Sequence, residues 1–189
     1  MPLLSNGQSQ ARSFGELCSK DYKEVTLVKK DDDETKNVII DALDRHNFYR
    51  QKHNVPPLKI SSKLNDISQN WADELAKRDV ASHRPNNAYG ENIYIIKSTE
   101  QVTELGIKAV NSWYNEIKYF DFQGSNDDMA ASTKAFHFTQ VIWKDSSELG
   151  VGAAKSSKSG KLYVVCNYDP HGNIRSQFKD QVLPVSGDP

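Results

Sequence analysis

The chain has 189 residues, with 24 Lys+Arg against 25 Asp+Glu, a formal charge of −1 and a mean hydropathy of −0.68. Length and charge fit one modest soluble domain, without the basic excess that neutralises a nucleic-acid backbone. No apolar run approaches the roughly 18 residues of a membrane span, and the longest, at 93–96 and 162–166, are strand-sized.

Two cysteines, Cys18 and Cys166, are too few for a disulfide-stapled scaffold and point to a reducing compartment. The opening Met1-Pro2-Leu3-Leu4-Ser5-Asn6-Gly7-Gln8 has neither the basic stretch nor the apolar core of a secretion signal, and Pro2 stands where myristoylation needs Gly. The expected location is intracellular, cytoplasmic with at most peripheral membrane contact; release by a non-classical route is the alternative.

Residues 1–35 are rich in Ser, Gln, Lys and Asp, follow no sustained apolar period, and read as a mobile extension. The first 37 residues hold 6 Lys+Arg and 7 Asp+Glu, so the rest of the chain is electrically balanced. A single domain over 36–182 follows, with a short tail at 183–189. From Thr35 the pattern is helical, with Val38, Ile39, Ala42, Leu43, His46 and Tyr49 at three- and four-residue spacing until Val55-Pro56-Pro57. A second helix follows Ser61-Ser62 and carries Leu64, Ile67, Ser68, Trp71, Ala72, Leu75 and Ala76 on one face. Arg84-Pro85-Asn86-Asn87 and Gly90 mark an irregular connection. A third helix runs from a Thr99 cap through Val102, Leu105, Ala109, Val110, Trp113, Tyr114 and Ile117. After Asp121 the period shortens, and three strands are predicted over 137–143, 149–154 and 161–168, the last two joined by a hairpin at 155–160. Helices first and a meander later give an α+β domain with helices covering an antiparallel sheet.

Five histidines make up most of the metal-capable set. His46 and His53 are two turns apart on one helix, about 10 Å by the helical rise, too far for one ion; they read as packing or surface residues, and His171 sits in exposed turn chemistry. His83 and His137 lie where irregular segments meet regular elements, near Glu91 and Glu116. Two imidazoles and two carboxylates can hold a zinc-like ion, run acid/base chemistry, or simply brace loops.

His137-Phe138-Thr139-Gln140-Val141-Ile142-Trp143-Lys144 with Leu149-Gly150-Val151-Gly152 resembles the first signature of the CAP superfamily, which groups cysteine-rich secretory, antigen 5 and pathogenesis-related proteins and is also called the SCP domain. Tyr163 to Asn173 resembles its second signature, Gly90-Glu91-Asn92-Ile93-Tyr94 its Gly-Glu-Asn box, Trp113-Tyr114-Asn115-Glu116 its Trp-Tyr-x-Glu element, and His46-Asn47-x-Tyr49-Arg50 its opening helix. The resemblance implies an α-β-α sandwich with a central antiparallel sheet. It also implies a cleft in which His83 and His137 bind zinc or another divalent cation while Glu91 and Glu116 orient them. Secreted relatives carry Gly-Cys-Gly where Val151 stands here, and Cys166 has no evident bridge partner, so the chain resembles the signal-less branch, the Golgi-associated pathogenesis-related and venom-allergen-like proteins.

The resemblance implies binding of a sterol, fatty acid or acidic phospholipid. Tyr114, Tyr119, Phe120 and Phe122 crowd the end of the third helix, where they can line a lipid groove or belong to the core. Two alternatives remain open: a metal-dependent hydrolase using the four cleft residues, although no serine is tied to a histidine by motif, and a protein-interaction module acting as a homodimer.

Overall fold

The computed structural model describes residues 32–97 and 103–187. The extension expected over 1–35 therefore lies almost wholly outside the described residues, as does the Thr99 cap. In chain order the elements are α1 (Asp32–Lys52), β1 (Lys59–Ile60), α2 (Ser62–Arg78), β2 (Gly90–Lys97), α3 (Leu105–Tyr114) with a 3-10 turn (Asn115–Tyr119), α4 (Asn126–Ala131), a second 3-10 turn (Thr133–Ala135), α5 (Phe136–Ile142), β3 (Glu148–Lys155), β4 (Lys161–Asp169) and α6 (Phe178–Gln181).

The sheet has the order β1-β3-β4-β2. β4 pairs antiparallel with both β2 and β3, whereas the two-residue β1 runs parallel to β3, so the sheet is mixed rather than purely antiparallel. Alternation along β4 sorts the two helical layers. Tyr163 and Val165 pack with Ala72, Leu75 and Ala76 of α2, and Asn167 accepts from Ser68 of the same helix at 2.9 Å. On the opposite face, Tyr168 meets His46 of α1, ring centroids 5.5 Å apart. The α-β-α sandwich follows, with α2 on one side and α1, α3 and α5 on the other.

Two close approaches fix the helices. A Cβ at Gly150 or Gly152 would overlap α2 backbone at Leu64 and at Ser68-Gln69, so α2 lies directly on β3. A Cβ at Gly106 would likewise meet the Val38 carbonyl of α1. Among the described residues, no strand beyond the two residues of β1 pairs with the outer edge of β3. Instead α2 reaches over it: Asn65 Oδ1 accepts from the Val151 N–H at 2.8 Å, and the Gln69 amide bonds both Ala153 N–H (3.1 Å) and C=O (2.9 Å).

The predicted strand at 137–143 is instead helix α5. Phe138, Thr139, Gln140, Val141 and Ile142 are all buried, so no polar face marks the helical period, and short buried runs of this kind read alike as strand or helix. What settles the conformation is remote in sequence. The Glu116 carboxylate accepts from the His137 N–H at 3.1 Å and the Phe138 N–H at 3.4 Å, taking up donors that the first turn of a helix leaves free. β2, outside the three predicted strands and marked in sequence only by the strand-sized run at 93–96, is a full eight-residue edge strand that begins at Gly90 of the expected irregular connection.

α1 is built around buried polar side chains. Arg50 is fully buried and donates to five carbonyls: Pro56 (2.7 Å), Val141 (3.1 Å), Trp143 (2.8 Å), Lys144 (3.3 Å) and Ser146 (2.8 Å). Burial lowers its pKa to about 10, which leaves it cationic at neutral pH. The guanidinium thereby ties α1 to the turn between α5 and β3. Residues 183–187 are also held: Ser186 N and Oγ both donate to Lys52 O, at 2.8 and 2.9 Å.

Candidate functional site

His83, Glu91, Glu116 and His137 form two carboxylate–imidazole pairs. His83 Nδ1 and Glu91 Oε1 are 2.7 Å apart, and His137 Nδ1 and Glu116 Oε1 are also 2.7 Å apart. A carboxylate only accepts, so each Nδ1 carries the proton and each Nε2 is left as the free nitrogen. No second partner for either ring occurs among the described residues.

The pairs differ in setting. Glu91, second in β2, has a side chain only 4% exposed; Oε1 also accepts from Arg84 N–H at 3.0 Å, while Oε2 is buried with no partner among the described residues. His83 itself is 66% exposed, and its hydrogen bond to Glu91 raises its pKa above the ordinary 6.5. His137 is partly shielded, with Trp113 stacked beside it at 6.4 Å between centroids. Among the described residues, no group of three or more His, Cys, Asp or Glu stands close enough together to hold a metal ion.

Behind His137 runs a buried chain with a fixed direction. Ala42 O can only accept, so His46 Nδ1–H donates to it at 2.7 Å and His46 Nε2 must accept from Tyr168 OH at 2.8 Å. Asn92 Nδ2 donates to Tyr168 OH (3.2 Å) and to His137 O (3.0 Å). Burial lowers the His46 pKa to about 3, so the ring is neutral across the physiological range. His53 repeats the pattern, donating to Leu183 O at 2.6 Å and accepting from Tyr114 OH at 2.9 Å. Both are packing residues, as their spacing suggested. His171 is exposed, beside its neighbour's carbonyl.

A second knot fastens the signatures to one another. Gln140 Oε1 accepts from Gly172 N–H at 2.8 Å and its Nε2 donates to Ser146 Oγ at 3.1 Å. A Cβ at Gly90 or Gly172 would run into this amide, which is why both positions are glycine. Asn173, at φ 59°, accepts from Thr139 Oγ1 at 2.5 Å. Neither Gln140 nor Arg50 stood out as a functional candidate in the sequence; the available signal was that each lies inside a recognisable motif.

The four aromatic candidates fare differently. Phe120 is buried against Phe122, Phe138 and Phe178, with centroids 4.9 to 6.4 Å apart, and belongs to the core. Tyr114 is half-buried and stacked on Tyr49 at 3.5 Å and 9°, with burial raising its pKa to about 12. Phe122 is half-buried beside His53, and Tyr119 is 51% exposed with Lys118 Nζ 5.0 Å from its ring. An open cleft of about 500 Å³ lies elsewhere, lined by Ser125, Asn126, Asp127, Ile174, Arg175 and Ser176.

A model of the cysteine-rich secretory protein family (CAP) matches residues 43–168. The chain is 35% identical over 149 residues to the Golgi-associated plant pathogenesis-related protein 1 of Homo sapiens, covering 76% of this chain and 91% of that protein. It is 31% identical over 126 residues to venom allergen 5 of Microctonus hyperodae, covering 64% of this chain and 54% of that protein, so it spans about half of the latter's length. Among solved structures, BmVAL-1 superposes with a TM-score of 0.64 at 28% identity, over 74% of this chain and 80% of that one.

Proposed function

Because the chain belongs to the CAP family, of the pathogenesis-related and venom-allergen type, we propose that it is a non-enzymatic lipid-binding domain for a sterol, fatty acid or acidic phospholipid, whose His/Glu cleft also takes a divalent cation. The observation that carries the lipid reading is the aromatic rim at the end of α3. Tyr114 and Phe122 are half-buried over a floor of Phe120 and Phe138, a ring-lined apolar surface that is neither closed core nor plain solvent face. The test is retention of a labelled sterol or fatty acid by purified protein, with lipids extracted from the natively purified chain identified in parallel. Phe122→Ala is expected to weaken retention about tenfold, the scale of removing one buried ring contact of ~1.5 kcal/mol. Equal retention by Phe122→Ala and wild type removes the rim from the account. Phe120 is a poor probe, since its loss opens the core.

A second reading rests on the cleft itself. Each histidine is oriented by a carboxylate on Nδ1 with Nε2 unengaged by the described residues, the arrangement in which outer carboxylates fix metal-ligating imidazoles. Nitrogen donors of this kind suit zinc-like ions. In this reading the ion would take its protein ligands from His83 and His137 alone, since no group of three or more His, Cys, Asp or Glu stands together among the described residues; it would supply a Lewis-acidic centre, with Glu91 and Glu116 keeping the ring protons on Nδ1. Calorimetry with zinc is expected to show heat lost in His83→Ala and in His137→Ala; undiminished heat in both sinks the reading. Turnover abolished by Glu116→Gln would favour a hydrolase, and concentration-dependent mass in sedimentation a homodimeric interaction module.

A further inference from the structure

The outer face of α1 carries more than a solvated helix needs. Asp41, Arg45, Phe48 and Lys52 recur at intervals of four, three and four residues, the seam spacing by which one helix packs on another. By helical periodicity this seam lies away from the buried side of α1, which holds Ala42, Leu43, His46, Arg50 and His53. Phe48 is 46% exposed, and Ile40, beside Asp41, is 39% exposed. Of the large apolar side chains exposed among the described residues, half therefore stand on this one face.

The charges along the seam are sorted by sign. At its acidic end, partial burial and then the nearby carboxylates of Glu104 on α3 and Asp44 push the Asp41 carboxyl above its ordinary range. Towards the other end, Arg45 and Lys52 stand 5.2 and 4.7 Å from the centre of the Phe48 ring, which meets Tyr49 edge-on at 5.3 Å between centroids. A cation over a ring keeps its charge. Asp41, Arg45 and Lys52 make no ion pair among the described residues. The face thus offers crowded negative charge at one end, unpaired positive charge at the other, and an exposed ring between them.

We propose that this face of α1 packs on α1 of a second copy of the chain, antiparallel and related by a two-fold axis. An isologous contact requires a surface that is its own complement. The seam meets that requirement about an axis between His46 and Asn47: turned about it, Asp41 faces Lys52 of the second copy and Arg45 faces Phe48 of the second copy. The two-fold repeats both contacts. This order of charge favours a second copy over an unlike partner, because a uniformly acidic or basic protein would match one end and be repelled at the other. From Asp41 to Lys52 the helix rises only about 16 Å. So short a seam makes a weak, transient dimer, anchored by the two Phe48 rings and registered by charge. The inference rests on the homodimer reading given above and supplies its surface; it uses neither the aromatic rim nor the His/Glu cleft.

The test is sedimentation equilibrium of the full chain at concentrations up to about 1 mM, where even a weak dimer is populated. The expected result is a reversible dimer that weakens as salt is raised. Asp41→Lys and Lys52→Glu each set like charges against one another at both contacts, and each is expected to raise the dissociation constant at least about tenfold. Mixing the two separately purified variants is expected to restore association, because both contacts of the mixed dimer again join opposite charges. Phe48→Ala, on an exposed ring, is expected to weaken the dimer without changing any charge, and Phe122→Ala to associate like wild type. A monomer at every concentration overturns this face and the homodimer reading together. Self-association unchanged in all three α1 variants overturns this face and leaves the homodimer reading to another surface. A mixture that stays monomeric, with both variants folded by circular dichroism, overturns the antiparallel pairing.

Discussion

Four of the five histidines divide into two designs, and the contrast separates structural from functional imidazoles. His46 and His53 are buried, each with both ring nitrogens engaged by the protein, one donating to a carbonyl and one accepting from a tyrosine hydroxyl. His83 and His137 are more open, each with one nitrogen held by a carboxylate and the other free. A ring with no spare nitrogen can brace helices but cannot take a ligand. A ring oriented on one side and open on the other is prepared to take one, and the same division runs through the charged groups: Arg50 is saturated by carbonyls, while Glu91 Oε2 is buried without a partner.

The saturated region should break hardest. Arg50→Ala strands a set of buried carbonyls and is expected to cost about 3–5 kcal/mol, the scale of removing one member of a buried charged network, read as a lower midpoint in urea denaturation. Arg50→Lys should recover little, since an ammonium offers three donors in place of a planar fork. Acid tests the same region. The His46 pKa is about 3 in the folded chain against an ordinary 6.5, so between these values the unfolded chain binds the extra proton. Stability is therefore full above pH 6.5 and falls as pH drops toward 3, with a contribution from His46 approaching ~1.4 kcal/mol per pH unit. Denaturation midpoints across that window should show a shallower slope in His46→Gln.

The open region should respond in binding rather than in folding. Glu91→Gln is expected to weaken zinc affinity about 10- to 100-fold, the usual size of losing an orienting partner, with little change in thermal midpoint, whereas Glu116→Gln should weaken it similarly and also lower the midpoint, because Glu116 accepts from the first N–H groups of α5. A loss of folding comparable to Arg50→Ala would erase the distinction between the regions. The smallest effect is a titration: the His83 imidazole should titrate above its ordinary value by NMR and return toward it in Glu91→Gln. Since His83 is mostly exposed, that shift should barely register in stability.

Local periodicity made α1 and α2 legible because each has an apolar stripe against a polar face. It failed at 137–143 because the deciding group is the Glu116 carboxylate, some twenty residues upstream and visible only after folding. The same limit hid the edge of β3, where Asn65 and Gln69 look in sequence like a solvent-facing helix surface. The cleft pairs were assembled by motif resemblance; spacing alone left them as separate residues. The glycines at 90 and 172 belong to two different motifs but answer to one side chain, Gln140, so what the sequence presents as several signatures is, in space, one contact set.

The amide bridge from α2 to β3 has a consequence for how copies of this chain meet. A strand with unpaired N–H and C=O groups is a template on which another chain can zip, and β1 shields only two residues of this one. Because Asn65 and Gln69 occupy the next backbone groups, an incoming strand would have to displace side chains already anchored on a packed helix. Asn65→Leu with Gln69→Leu would leave apolar packing near that edge while unsealing it, turning a self-limiting sheet into one open to aggregation by extension.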